Sequence, residues 1–146
     1  MSFTLRSSAC WLLRLGFAVI LAWASADKIL HPYEFGQDVL NYRVVNEGLS
    51  FLVAVWLPYL ELLTAVCLLT GLWLEAAAVI NAVLMWTFLG LILQAFFRKL
   101  DIHCGCFTVK GDSVIGPLKI AENTLFAVLS LLLVSAVFSR TEREAG

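Results

Sequence analysis

The chain has 146 residues, of which 61% are hydrophobic and 14% charged, and its mean hydropathy is +0.89. A soluble domain of this size cannot bury so much apolar side chain, because such domains are roughly half apolar and a quarter charged. Ten basic and eleven acidic residues leave a net charge of -1, which argues against nucleic acid as a partner. The composition therefore predicts a protein whose main solvent is lipid.

Four apolar stretches are each long enough to cross a membrane as a helix, which takes about 20 residues. They cover approximately residues 10–28, 51–72, 74–97 and 118–139. The stretches lack the alternating pattern of barrel strands, so helices are expected. The predicted fold class is all-α, an integral membrane four-helix bundle that forms a single transmembrane domain.

The first stretch also resembles a secretory signal, because an apolar run follows Arg6 and ends in an A-x-A pattern at residues 24–26. Cleavage there would leave three spans and place the two long loops on opposite faces of the membrane. Ala18, Ala22 and Ala26 instead form a stripe of small residues suited to helix packing. Retention of this stretch is therefore favoured.

Two long loops, 29–50 and 98–117, connect the first span to the second and the third span to the fourth. Because the number of spans is even, both loops are expected on one face of the membrane, with the termini on the other. Arg6 and Arg14 favour a cytoplasmic N terminus, whereas the count of basic residues over both faces leans weakly the other way. Charge alone does not decide the orientation.

The first long loop is predicted to contain a short amphipathic helix on the bilayer surface. Pro32 is a typical first residue of a helix. Phe35, Val39 and Tyr42 then recur at the spacing of one helical face.

The second long loop carries the sharpest chemical motif, in which Cys104 and Cys106 are separated only by Gly105 and preceded by His103. Two thiols at this spacing can close a small disulfide ring, and glycine minimises the backbone strain of doing so. A strained, accessible disulfide is labile and suits thiol exchange. The motif thus favours a redox-active pair, with His103 as a supporting group.

Two other uses of the same loop stay open. His103, Cys104 and Cys106 could be ligands of a soft metal such as copper, mercury or zinc, in a binding or transport protein. The two thiols could also form a structural disulfide in a non-catalytic assembly subunit.

An acidic residue, Glu61, lies well inside the otherwise uncharged second span. An ionisable group at that depth is costly and is a functional-site hypothesis by default. Helical spacing places Ala54, Pro58 and Ala65 on its face, which is expected to look into the bundle. Lys28, at the end of the first span, has Asp27, Glu61 or the lipid headgroups as alternative partners. Glu61 and Lys28 are the candidates for proton handling.

Taken together, these motifs resemble the MauE family of DoxX-like four-helix membrane proteins. The resemblance is carried by five elements: Asp27-Lys28 with His31-Pro32 and Phe35, Asn41-Tyr42-Arg43, Leu57-Pro58-Tyr59-Leu60-Glu61-Leu62, Cys104-Gly105-Cys106-Phe107, and Asn123. The chain departs from the family pattern at Thr108, where glycine is usual, and at Glu122, where arginine is usual.

The resemblance implies a bacterial inner-membrane protein with cytoplasmic termini and periplasmic long loops. It also implies a thiol–disulfide oxidoreductase that uses Cys104 and Cys106 on a periplasmic thioredoxin-like protein or another client thiol protein. Such a protein supports disulfide formation or maturation in exported proteins. By analogy of architecture, a quinone is the expected electron carrier.

Overall fold

The computed structural model describes residues 2–99 and 116–145, with side chains from 8 to 99 and from 116 to 142. Within these ranges the chain forms no strand and five helices: α1 (Ser2–Leu30), α2 (Pro32–Asn41), α3 (Glu47–Thr70), α4 (Leu74–Phe97) and α5 (Pro117–Ala145). All but α2 are long and apolar enough to cross a membrane. The prediction of an all-α fold with four spans is therefore confirmed.

The two ends of α3 are set by local capping. α3 begins before the apolar run because the side chain of Asn46 accepts a hydrogen bond of 3.0 Å from the backbone N–H of Leu49. It ends at Thr70 because Gly71 adopts a left-handed conformation with a φ of 80°. α4 has the bounds that the sequence predicts, whereas α1 begins earlier and α5 continues further.

The long helices pack in pairs, α1 mainly against α3 and α4 mainly against α5, while α2 packs on α3. Large apolar side chains cover the outside of the bundle, including Leu12, Trp23 and Trp56, each about 70% exposed. So much apolar surface would be an aggregation hazard in water. In lipid it is the appropriate outer surface, which accounts for the composition of the chain.

The face that α1 presents to the bundle differs from the predicted stripe of alanines. Ala18 is fully buried and Ala22 half-buried, but Ala26 is exposed, so the prediction for Ala26 is wrong. The packing face instead continues through Ser25 to Lys28, both fully buried. Retention of α1 in the mature protein stays a prediction.

The amphipathic helix α2 packs closely on α3 through Gly36. A Cβ atom built on Gly36 would lie 2.7 Å from Cδ1 and 2.8 Å from Cε1 of the Phe51 ring. That ring is also stacked on Tyr33, with 5.8 Å between the ring centroids. Glycine at this position therefore lets α2 lie against the Phe51 ring without a steric clash.

We expect Gly36→Ala to lower the free energy of unfolding. Overpacking typically costs about 1–3 kcal/mol. Alanine contributes roughly 0.5–1 kcal/mol of helix propensity in the opposite direction, so the net loss should be about 0.5–2 kcal/mol. Detergent-induced unfolding in mixed micelles measures it.

Gly16 in α1 provides the matched control, because nothing lies within 4 Å of a Cβ atom built there. Gly16→Ala should therefore raise the free energy of unfolding by about 0.5–1 kcal/mol. Equal effects of the two substitutions would show that α2 does not pack on Phe51 as described.

Candidate functional site

The centre of the bundle contains an ion pair between Lys28 of α1 and Glu61 of α3. The Nζ atom of Lys28 donates to Oε1 of Glu61 at 2.7 Å and to Oε2 at 3.0 Å. Both side chains are 0% exposed. Among the partners that the sequence allowed for Lys28, the structure selects Glu61.

Two phenyl rings complete the surroundings of the ammonium group. Nζ of Lys28 lies 5.1 Å from the ring centroid of Phe35 on α2 and 5.0 Å from that of Phe88 on α4. Both distances are within the range of cation–π attraction, which strengthens as a site is desolvated. Three elements besides α1 thus converge on one buried cation.

The sequence of α3 explains why Glu61 points inward. Ala54, Pro58, Glu61 and Ala65 are all buried, so the predicted inward face of this helix is confirmed. Pro58 has no N–H, and the carbonyl of Ala54 therefore lacks its usual partner one turn later. The small residues on either side of Glu61 leave room for the long side chain of Lys28.

A second buried cation, Arg14, binds the end of α3 close to the short turn. Its Nε and Nη2 atoms donate to the carbonyl oxygen of Leu68 at 3.0 and 2.8 Å. The guanidinium carbon lies 4.5 Å from the ring centroid of Trp11. The sequence had suggested only a flanking charge, but the side chain is 5% exposed and lies inside the bundle.

The start of α5 carries an exposed ion pair of ordinary strength. Nζ of Lys119 lies 2.9 Å from Oε2 of Glu122, and both side chains are partly exposed. The buried amide of Asn123 donates to the carbonyl oxygen of Lys119 at 2.9 Å. Glu122, one of the two departures from the family pattern, therefore neutralises Lys119.

The predicted redox pair, Cys104 and Cys106, and the adjacent His103 lie outside the described residues, which stop at Lys99 and resume at Gly116. Their roles, in exchange or as metal ligands, stay predictions. Within the described part of the chain, Cys10 and Cys67 are free thiols. No group of three or more potential metal ligands occurs there either.

One contributor to this site and one buried carboxyl group near it in sequence were not named from the sequence. Phe88 belongs to α4, which is apolar all round, so no pattern distinguishes it from its neighbours. Asp38 was detectable, because a carboxyl group three residues after Phe35 shares the apolar face of α2. The structure buries Asp38 at 8% exposure.

These features place the chain in the class of multi-pass α-helical membrane proteins. Within its bundle it has a fully buried lysine–glutamate ion pair. The chain belongs to the MauE family, since the family model described as methylamine utilisation protein MauE matches residues 6–136. It is similar to the methylamine utilization protein MauE of Paracoccus denitrificans, with 29% identity over 136 residues. That alignment covers 92% of this chain and 73% of the relative. No solved structure matches the chain.

Proposed function

We propose that this chain is a membrane-embedded thiol–disulfide oxidoreductase. It passes electrons between an extracytoplasmic, thioredoxin-like protein dithiol and a carrier dissolved in the membrane. The observation that carries the proposal is the Lys28–Glu61 pair, whose two groups are 0% exposed inside an apolar bundle. Ionisable groups are retained at such a position when they serve ion or proton transfer.

The proposal assigns the sulfur chemistry to Cys104 and Cys106. In the oxidising direction, a partner thiolate attacks one sulfur of their disulfide, which forms a mixed disulfide and releases the other sulfur as a thiol. The second thiol of the partner then attacks the mixed disulfide. The products are the partner disulfide and a reduced Cys104–Cys106 pair.

Reoxidation of that pair removes two electrons and two protons, and a lipid-soluble quinone can accept all four to become a quinol. Inside the bundle the ammonium group of Lys28 can donate a proton and the carboxylate of Glu61 can accept one, whereas the apolar side chains around them can do neither. They are therefore the groups that we assign to proton handling, with His103 as a further candidate nearer the sulfurs.

The proposed location is the bacterial inner membrane, with the long loops in the periplasm. Exchange with an extracytoplasmic thioredoxin-like protein requires the dithiol on the periplasmic side, where disulfides form and persist. The name of the Paracoccus relative refers to methylamine utilisation. By similarity, we propose that the client proteins are exported proteins of that process whose disulfides must form or mature.

A mixed-disulfide trap tests this function. Cys104→Ser and Cys106→Ser, made separately, should leave one reactive thiol that cannot be resolved by its neighbour. At least one variant is expected to accumulate a covalent adduct with a thioredoxin-like protein of the same periplasm. Non-reducing electrophoresis and mass spectrometry should detect the adduct, and dithiothreitol should release it.

Cys10→Ser and Cys67→Ser are the matched controls, because these two free thiols lie on the spans α1 and α3. Neither control should form an adduct. Absence of an adduct from both loop variants would overturn the proposal. Stoichiometric metal on the reduced protein, lost in either loop variant, would identify a soft-metal protein instead.

A further inference from the structure

An apolar cavity of about 240 Å³ lies between α2, α3 and α4. Valine and leucine side chains form most of its wall, together with Phe35 and Phe88. Three lining residues have polar groups: the carboxyl of Asp38 and the hydroxyls of Tyr42 and Thr87. The cavity is thus a lipid-like compartment with few polar groups, as is usual for sites that bind small apolar molecules.

The cavity adjoins the buried ion pair. Phe35 and Phe88 line the cavity and also lie about 5 Å from Nζ of Lys28. One layer of aromatic rings therefore separates the cavity from the Lys28–Glu61 pair. A rotation of either ring would bring an occupant of the cavity next to a proton donor, Lys28, and a proton acceptor, Glu61.

We infer that this cavity binds the ring of a lipid-soluble quinone. The inference rests on the proposed function, which requires an acceptor of two electrons and two protons within the bundle. Drug-sized ligands occupy pockets of roughly 300–1,000 Å³, so the smaller volume here suits one flat headgroup whose isoprenoid tail stays in the lipid. Phenyl walls suit such a ring, because aromatic groups stack on one another. A lipid acyl chain would need neither the aromatic rings nor the neighbouring ion pair.

The overall reaction balances for this occupant. Two thiols and one quinone give one disulfide and one quinol. Two electrons leave the sulfurs, and two protons reach the ring oxygens. In this process Phe35 and Phe88 hold the ring. Behind them, Lys28 donates and Glu61 accepts the protons that pass to it.

Photolabelling with an azidoquinone tests the site in the full-length protein reconstituted in nanodiscs. The label should map to peptides of α2, α3 or α4 that line the cavity, and decylubiquinone should displace it. Thr87→Trp, which places an indole in the cavity from an exposed position, should reduce the labelling by about tenfold or more. Val53→Phe fills the cavity from α3 and provides a second, independent variant.

Val83→Trp is the matched control, because Val83 belongs to the same helix but is exposed and lies outside the cavity. Its labelling should equal that of the unmodified protein. Displacement by decyl alcohol as effective as that by decylubiquinone would show an acyl-chain groove and overturn the inference. Labelling that maps elsewhere, or that survives both filling variants, would also overturn it.

The mixed-disulfide trap separates this inference from the proposed function. If the adduct forms but the cavity is not labelled, the proposed oxidoreductase function is supported and the quinone site is refuted. Specific labelling without any adduct supports the quinone site and refutes the assigned thiol chemistry.

Discussion

Glu61→Leu is expected to lower the free energy of unfolding by about 3–5 kcal/mol, because the substitution strands the charge of Lys28 inside the bundle. Lys28→Met should cost a similar amount by stranding the carboxylate. Their double variant, Lys28→Met with Glu61→Leu, should recover most of the loss, since two apolar side chains replace two buried charges. Unfolding in mixed micelles of detergent and lipid measures all three.

Glu122→Gln is the matched control for this cycle. It also removes one carboxylate from a lysine pair, but that pair is partly exposed at the start of α5. An exposed pair contributes about 0–1 kcal/mol, so the control should change stability little. If the single variants at Lys28 and Glu61 were no worse than Glu122→Gln, the ion pair would not be buried as described.

The same double variant distinguishes a structural pair from a functional one. With one loop cysteine also replaced by serine, the double variant is expected to fold and still trap the mixed disulfide with its partner. With both loop cysteines present, it should no longer pass electrons to a quinone. If the double variant kept full electron transfer, the ion pair would not be needed for the reaction. Its role would then be limited to helix packing.

Arg14→Met is expected to lower the free energy of unfolding by about 1.5–3 kcal/mol, the usual worth of hydrogen bonds that involve a charged group. The loss has a definite origin. The carbonyl of Leu68 lies in the last turn of α3, where helical acceptors lack partners within the helix, and Arg14 supplies two donors to it. The positive charge also favours this end of the helix.

Arg14→Lys separates these two contributions. Lysine keeps the charge but has no planar pair of donors, so it should restore only part of the stability. Thermal unfolding of the three proteins under one set of detergent conditions gives the comparison. Full restoration by lysine would mean that charge alone is required, and unchanged stability of Arg14→Met would mean that Leu68 is not capped by this side chain.

The sequence was sufficient to find the carboxyl group of the ion pair but not its partner. Glu61 is conspicuous because it interrupts an apolar run, and that is a local property of the sequence. Lys28 is ambiguous, because a lysine at the end of a span can reach the headgroups, a neighbouring carboxylate or another helix. Only the packing of α1 on α3 brings its Nζ atom to 2.7 Å from Glu61.

For Arg14, the sequence indicated a flanking charge, whereas the structure buries the side chain. Its position near the start of an apolar stretch is typical of a flanking basic residue, and positive charges at that position usually report orientation. The structure turns this side chain inward to Leu68, and its charge therefore faces the bundle. Such a contact between residues far apart in the chain has no signature in the local pattern.

The sequence by itself determined that the chain lies in lipid and that its fold is all-α. Hydropathy and the length of an apolar run are properties of short segments. In lipid, each segment must satisfy its own backbone hydrogen bonds, and the four long apolar runs therefore form helices. The tertiary structure alone decided which side chains meet. The register between neighbouring helices determines the Lys28–Glu61 pair, the positions of the Phe35 and Phe88 rings and the cavity beside them. Helices that are apolar on nearly every side do not encode that register in their periodicity.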